Sequence, residues 1–502
     1  MEKNEYFMVL DCGATSIRAV ALHPQGRILS LVSFPNAPKR EAEFGHYLIW
    51  DLEEIWEKVC QATRKIVAEV GRGVRAVSVT TFGADGAPVR EDGSLTYPVI
   101  SWQCSRTENW TKRIIESVSA REIFRITGYQ VIPFNTLLKL LWLRENAPQA
   151  LDEAKCFLMM PGLLNFRLTG EMTMDYTIAS TTMMFDIQER RWSDRLLSLA
   201  GLRGDFFPRM VESGEVIGTV TARASEATGI PVRTPVTSAG HDTQFAIIGS
   251  LARENELVLS SGTWEIAALR IPFFRDSEVA FATGMLVELD AEKGFWNPQM
   301  LMIAGGVVEW VRRNFFADCK DAQDVYERII EAASSVSPGA EGIFFIPSFM
   351  PSGPLKPYGT RGTILGLGLT TQRAQIARAV FEGLSFQLRQ AVDALFEAFG
   401  FRPERIVVVG GGSKNALWNQ IRADVVNLPV VVTSCEEATV LGAALFAMVG
   451  IGYVKNLQEA KENIIRTTRV FEPSPQRAVY DELFARYVSI PRLLEAHYRE
   501  YS

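Results

Sequence analysis

Val9-Leu10-Asp11-Cys12-Gly13-Ala14-Thr15-Ser16-Ile17-Arg18-Ala19 reads as a strand, a polar turn containing one glycine, and a second strand. The pattern returns as Val258-Leu259-Ser260-Ser261-Gly262-Thr263-Trp264-Glu265-Ile266-Ala267-Ala268, aligned without gaps and sharing Val, Leu, Gly, Ile and Ala. Two strands drawn from few residue types match easily by chance. The spacing, close to half of a 502-residue chain, argues instead for a duplication in which each half opens with a similar hairpin. Between the hairpins, strand patterns such as Val74 to Thr80 alternate with helical ones such as Phe134 to Asn146 and Trp192 to Ala200. The second half continues with a long amphipathic helix, Arg373 to Phe399, a strand, Arg405 to Val409, and helices at Ala416 to Asn427, Glu437 to Val449 and from Pro475 onward. This alternation predicts an α/β layer architecture.

A chain of 502 residues exceeds what one hydrophobic core usually supports, so two large domains or a barrel with additions are expected, and a domain boundary is placed near Gly249. The composition, 47% hydrophobic and 22% charged, is that of a folded protein rather than a disordered one. A net charge of -6, with no block of like charge, argues against a nucleic-acid or anionic-membrane surface and favours a small-molecule partner. Six cysteines without a Cys-x-x-Cys pair suit free thiols in a reducing cytoplasm, not a disulfide framework or a zinc site. The N-terminus lacks the basic and apolar regions of a secretion signal, and no apolar run approaches the roughly 20 residues of a membrane span. A cytosolic protein is expected.

The chemistry is expected at the carboxyl ends of strands. Pro235-Val236-Thr237-Ser238-Ala239-Gly240-His241-Asp242-Thr243-Gln244 places Asp242 at a strand-to-helix turn, where it serves as a helix cap or as a ligand-facing carboxylate. Three glycine-containing turns, Asp11 to Ser16, Ser260 to Thr263 and Gly410 to Asn415, suit phosphate or nucleotide contact, because glycine lets backbone N–H groups approach an anion and Ser or Thr adds a hydroxyl. Each turn alone is also ordinary turn chemistry; two matching hairpins and a triple glycine together say more. The third turn is expected to open a helix. Asp11 suits a water-coordinated magnesium ion. There is no Gly-x-x-x-x-Gly-Lys-Ser/Thr, no Gly-x-Gly-x-x-Gly opening a first helix and no Gly-x-Ser-x-Gly, and of four histidines only His241 stands in a suggestive place.

Two longer stretches carry a family resemblance. Phe134-Asn135-Thr136-Leu137-Leu138-Lys139-Leu140-Leu141-Trp142-Leu143-Arg144-Glu145-Asn146, and Gly362 to Gly383 ending Val380-Phe381-Glu382-Gly383, resemble the two signatures of the FGGY carbohydrate kinases in the actin-like ATPase superfamily. The resemblance implies an α/β fold of two actin-like (ribonuclease H-like) ATPase domains with an interdomain cleft that closes on substrate. Residues 1–249 would carry sugar binding and the catalytic base, 250–450 the nucleotide, and 451–502 a C-terminal helical extension. Asp242 occupies the place of the base, which takes the proton of the attacking sugar hydroxyl. ATP contacts are implied at Asp11, Gly13, Ala14, Thr15, Ser16 and Arg18, at Gly262 and Thr263, and at Gly411, Gly412, Ser413 and Asn415, with Asp11 toward Mg2+. Sugar contacts are implied at Gly83 and Asp85, at Trp102 and Arg106, at Asp175, and at His241, Asp242 and Thr243.

Two positions depart from the glycerol and xylulose kinases of the family: Ala14 replaces a Thr, and Cys104 replaces the Asp of a Trp-x-Asp-x-Arg pattern. Both are similar to the branch that acts on L-fuculose and L-rhamnulose. The implied activity is ATP-dependent phosphorylation of L-fuculose at O1; the alternatives are L-rhamnulose or another ketose as acceptor, or a sugar sensor without catalysis. The implied partner is a small ketose, with no nucleic acid and no membrane, and a homodimer is among the assemblies the resemblance allows.

Overall fold

β1 (Tyr6–Cys12) is buried along its whole length, which is why its sequence is a continuous apolar run broken only by Asp11. The computed structural model describes residues 5–42, 45–318, 322–350, 352–435 and 437–499. Tyr6, Met8 and Leu10 point into a core with Ile55, Val59 and Ile66 of the helix Leu52–Val70. Asp51 starts that helix by accepting the Glu54 N–H at 3.1 Å. On the other face Phe7 meets Tyr453 edge-on at 5.5 Å, and the helix Ala438–Gly450 lies against β1.

The chain divides into two compact units, each assembled from separated stretches: Met1–Leu251, Val287–Trp296 and Glu437–Ile465 in one, and Ala252–Leu286, Asn297–Glu436 and Arg466–Ser502 in the other. The first contains β1, β2 (Ser16–Leu22), β3 (Ile28–Pro35), β4 (Val74–Thr81), β5 (Val216–Thr219) and β6 (Pro235–His241), in the order β5-β6-β4-β1-β2-β3. The second contains β7 (Glu256–Ser261), β8 (Trp264–Ala268), β9 (Trp296–Ile303), β10 (Arg405–Val409), β11 (Val430–Thr433) and β12 (Thr468–Phe471), in the order β12-β11-β10-β7-β8-β9, with a seventh strand, Leu286–Leu289, beyond β9. Apart from that seventh strand, the orders correspond strand for strand. In each sheet the opening hairpin is antiparallel, the next two strands toward the other edge are parallel, and the edge strand beyond them is antiparallel. The duplication inferred from the hairpins therefore extends through six strands of each unit.

The gap-free alignment of the hairpins does not carry into their return strands. In the first, Val9 faces Val20 and Cys12 faces Ile17; in the second, Val258 faces Ala268 and Ser261 faces Glu265. The second turn is one residue shorter, and register follows turn length, so Ile17 and Ile266 are not equivalent in space.

The long helix forms over Arg373–Phe399, begun by a capping box between Gln372 and Gln375 and ended at Gly400 with φ 72°. The helix expected over Trp192 to Ala200 is shorter. Trp192 pairs with Phe185 in a two-residue hairpin, Ser193 caps the helix Asp194–Leu197, and Ser198–Ala200 is a 3-10 turn. Trp192 stacks on Phe207 with centroids 3.8 Å apart, and that contact outweighs its helical spacing. Arg477–Tyr487 and Ile490–Arg499 form the terminal helices. Among the described residues no helix is long and apolar enough to cross a membrane.

Candidate active site

Three parallel strands of the first unit end side by side: Cys12 of β1 pairs with Thr81 of β4, and Thr81 with His241 of β6. The turn after β1, the segment Phe82 to Ala84 and Asp242 thus leave the sheet from one carboxyl edge, the edge at which open α/β sheets bind ligands. The first turn is held by Gly13 N–H to Ser16 O at 2.9 Å and by Asn36, whose side chain donates to Gly13 O at 2.9 Å. Thr15 at its tip is exposed, and Gly13, Ala14 and Ser16 are half-buried.

Asp242 is the first residue of the helix Asp242–Gly249, and the cap position expected for it belongs to His241. Its Oδ1 still accepts the first-turn N–H of Thr243 at 2.6 Å, so the helix fixes the carboxylate. The side chain remains 30% exposed. Burial pushes the Asp242 carboxyl up, the neighbouring His241 and the Thr243 bonds work against that, and the balance stays above the usual value. The helix is locked in turn. A methyl on Gly249 would run into the carbonyl of Ala438, and one on Gly442 into the carbonyl of Phe245, so these two helices cross at backbone contact.

His241 Nδ1 lies 2.8 Å from Glu288 Oε2, and Nε2 lies 3.5 Å from Asp242 Oδ1. Burial alone would lower its pKa, but the Glu288 carboxylate and Asp242 outweigh it and raise it to about 9. The ring is an imidazolium at neutral pH. Gly83 belongs beside it: a methyl there would stand 3.2 Å from Nε2. The structure thus brings Gly83, His241, Asp242 and Thr243 together. Trp102 is half-buried, edge-on to Phe134.

Asp85, Arg106 and Asp175 are each bound by several protein partners. Asp85 is fully buried, paired through Oδ1 with Lys139, and accepts from Trp50 Nε1 at 2.6 Å and Trp102 N at 2.9 Å. Arg106 pairs with Glu41 at 2.6 Å, donates to Tyr97 Oη at 3.1 Å and lies over Trp142 at 4.7 Å. Its Nε donates to Cys104 Sγ at 3.1 Å, which gives the cysteine a partner within the protein. Asp175 accepts from Thr177 N, Ser238 Oγ and Ser213 Oγ, while Thr177 Oγ1 takes the N–H of His241 at 2.9 Å. These groups are spent on protein partners, and they place the backbone that carries Trp102 and His241.

Asp11 is buried and held by Arg18, whose Nε donates to Oδ2 at 3.0 Å and whose Nη1 reaches Glu437 at 2.6 Å. Burial pushes the Asp11 carboxyl up, Arg18 opposes it, and the negative charge of Asp242 adds to the rise. No group of three or more His, Cys, Asp or Glu among the described residues forms a metal cage. Asp11 is a single carboxylate, so a magnesium ion held there would take its remaining ligands from water or phosphate.

In the second unit β7 and β10 are parallel, with Ser260 opposite Val409, so the turns that follow them share an edge. Gly262 and Thr263 are exposed. The approach is close enough that a methyl on Gly412 would overlap Ser261 Oγ and one on Gly305 the carbonyl of Gly262. Such a backbone cradle fits a phosphate chain. Gly411–Lys414 is a 3-10 turn rather than the start of a helix; Asn415 caps Ala416–Val426 by accepting the Trp418 N–H at 3.0 Å. Ser413 Oγ donates to Gly410 O at 2.7 Å.

Sequence models of the FGGY family of carbohydrate kinases match residues 6–249 as the N-terminal domain and 257–451 as the C-terminal domain. The chain belongs to this family of carbohydrate kinases. The FGGY kinase is 40% identical to the L-fuculokinase of Escherichia coli (strain K12) over 482 residues, covering 96% of this chain and 100% of that one. It is 30% identical to the rhamnulokinase of Bacteroides thetaiotaomicron over 498 residues, 97% and 99% of the two chains. The structure of a ligand-bound xylulose kinase from Lactobacillus acidophilus matches 99% of this chain and 100% of its own with a TM-score of 0.89 at 22% identity, which shows the two-domain fold of sugar kinases.

Several partners at the FGGY kinase site escaped the reading of the sequence: Glu288, Tyr129 and Lys139 in the first unit, and Glu265 and Arg422, which bracket Ser261, in the second. Glu288 left one signal. It is the single charge in the apolar run Met285-Leu286-Val287-Glu288-Leu289, where a buried carboxylate demands a partner.

Proposed function

We propose that the chain is an ATP- and magnesium-dependent kinase that phosphorylates L-fuculose at O1, giving L-fuculose 1-phosphate. The identity of the sugar rests on the end-to-end similarity to L-fuculokinase. The chemistry rests on Asp242, a fixed and partly open carboxylate at the edge where three parallel strands end. In this reading Asp242 accepts the proton of the O1 hydroxyl as O1 attacks the γ-phosphorus, and the bond to the bridging oxygen breaks to release ADP. His241, Thr243, Gly83 and Trp102 hold the sugar, while Asp85, Arg106 and Asp175 keep their supporting segments in place. The turn Asp11–Ser16, Gly262, Thr263 and the segment Gly411 to Asn415 hold the nucleotide. Magnesium, when bound toward Asp11, offsets the charge of the phosphates. The same reading has the enzyme act in the cytoplasm, and light scattering distinguishes the homodimer from a single chain.

An ADP-release assay across L-fuculose, L-rhamnulose, D-xylulose, D-ribulose and glycerol tests the proposal. L-fuculose is expected to give the highest kcat/KM. A higher value for L-rhamnulose would reassign the acceptor, and ketose binding by calorimetry with no ADP release would leave only a sensor.

A further inference from the structure

Glu288 is a buried carboxylate at which three donors converge. It accepts from Gln244 Nε2 at 2.5 Å, from the hydroxyl of Tyr129 and from His241 Nδ1 at 2.8 Å, and it is 1% exposed. Burial pushes the Glu288 carboxyl up; the charge and bonds of its partners reverse this and hold it below its usual range. Its bond to Nδ1 fixes the rotation of the His241 ring, so that Nε2 is the nitrogen left on the side of Gly83 and Asp242. Any bulk on Gly83 would occupy the space in front of it.

We propose that Glu288 is a positioning residue for the sugar acceptor: through its bond to Nδ1 it holds the His241 ring so that Nε2 is presented to a sugar hydroxyl beside Gly83 and Asp242. The strand that supplies this carboxylate, Leu286–Leu289, follows the second hairpin in sequence, and its residues from Val287 group with the first unit, where Val287 N–H bonds Gly128 O at 2.9 Å. The charged groups facing the ring are Glu288 from its strand and Asp242 from the following helix, with Tyr129 acting through Glu288, while Asp242 in turn raises Asp11, which Arg18 opposes. The consequence for sugar binding rests on the kinase reading, but the state of the ring is measurable without any substrate.

The test is side-chain 1H–15N NMR of the full chain labelled at histidine, in which only four rings report: His23, His46, His241 and His497. One ring is expected to remain an imidazolium through neutral pH and to titrate at about 9. In Glu288→Gln that ring should titrate toward about 6.5, and L-fuculose binding by calorimetry should weaken about tenfold, the worth of one charge-assisted hydrogen bond. Tyr129→Phe, which leaves the carboxylate in place, should give a smaller shift in the same direction and covers the case in which Glu288→Gln does not fold. Four wild-type rings all titrating between about 6 and 7 would overturn the proposal. So would a lowered titration in Glu288→Gln with unchanged L-fuculose affinity. A wild-type chain that shows the high titration but phosphorylates no ketose would refute the kinase reading and leave the ring assignment intact.

Discussion

Lys139→Met removes the cation from a buried pair without changing the length of the side chain much. Lys139 is 2% exposed and Asp85 is fully buried. The ammonium also donates to Ala84 O at 2.9 Å. Burial drives Asp85 up and Lys139 down, toward their neutral forms; their mutual attraction is the largest opposing influence, and the bonds from Trp50 and Trp102 to Asp85 add to it. In the variant Asp85 keeps Trp50 Nε1 and Trp102 N as donors but faces no positive charge. Breaking a buried pair in this way costs about 3–5 kcal/mol. For a large domain, at roughly 2–4 °C per kcal/mol, the transition of the first unit in calorimetry should fall by about 6 °C or more. Asp85→Asn added to Lys139→Met removes the stranded charge yet keeps an acceptor for the two tryptophans, so the double variant should be more stable than Lys139→Met alone. A single variant within about 1 kcal/mol of wild type, the ceiling for an exposed pair, would refute the reasoning, and so would additive losses in the double variant.

Gly442→Ala, which pushes a methyl into the Phe245 carbonyl, should cost about 1–3 kcal/mol as overpacking does; denaturant midpoints measure this, and an unchanged midpoint would show that the helix crossing tolerates a side chain. Gly412→Ala should weaken ATP binding about tenfold in calorimetry, the loss of one charge-assisted contact, and leave L-fuculose affinity unchanged. His241 gives stability a pH dependence: because its pKa is raised to about 9 on folding, the contribution is complete below its unfolded value and is lost as pH rises through the folded one. The loss amounts to about 3 kcal/mol between about pH 6.5 and about pH 9, and denaturant titrations of wild type and Glu288→Gln should show it in the first only.

The fold was legible because its two signals are local. Apolar runs such as Tyr6–Leu10 and Ile406–Val409 declare themselves residue by residue in a parallel sheet, and a glycine turn between two such strands repeats visibly. The register of the second hairpin was not legible, because one residue fewer in the turn shifts the pairing while leaving the composition intact. At the site, Gly83, His241, Asp242 and Thr243 were found through motifs, and they do cluster. Asp85, Arg106 and Asp175 were found the same way, yet a motif gives the residue type and not whether its oxygens or nitrogens are already spent. Lys139 is 54 residues from Asp85, and Glu288 is 47 from His241. Such pairings are decided by packing, and no short-range pattern encodes them.

In the proposed reaction Asp242 takes the sugar proton, so turnover is expected to depend on it. Asp242→Asn keeps the shape and the Thr243 N–H contact of the side chain but cannot accept a proton at neutral pH. Single-turnover ADP release with L-fuculose and ATP, run beside calorimetric L-fuculose binding, measures both halves of the claim on one sample. The predicted result is sugar affinity close to wild type with the rate down by about 10²-fold or more, the usual contribution of a general base. A near-normal rate in this variant would contradict it.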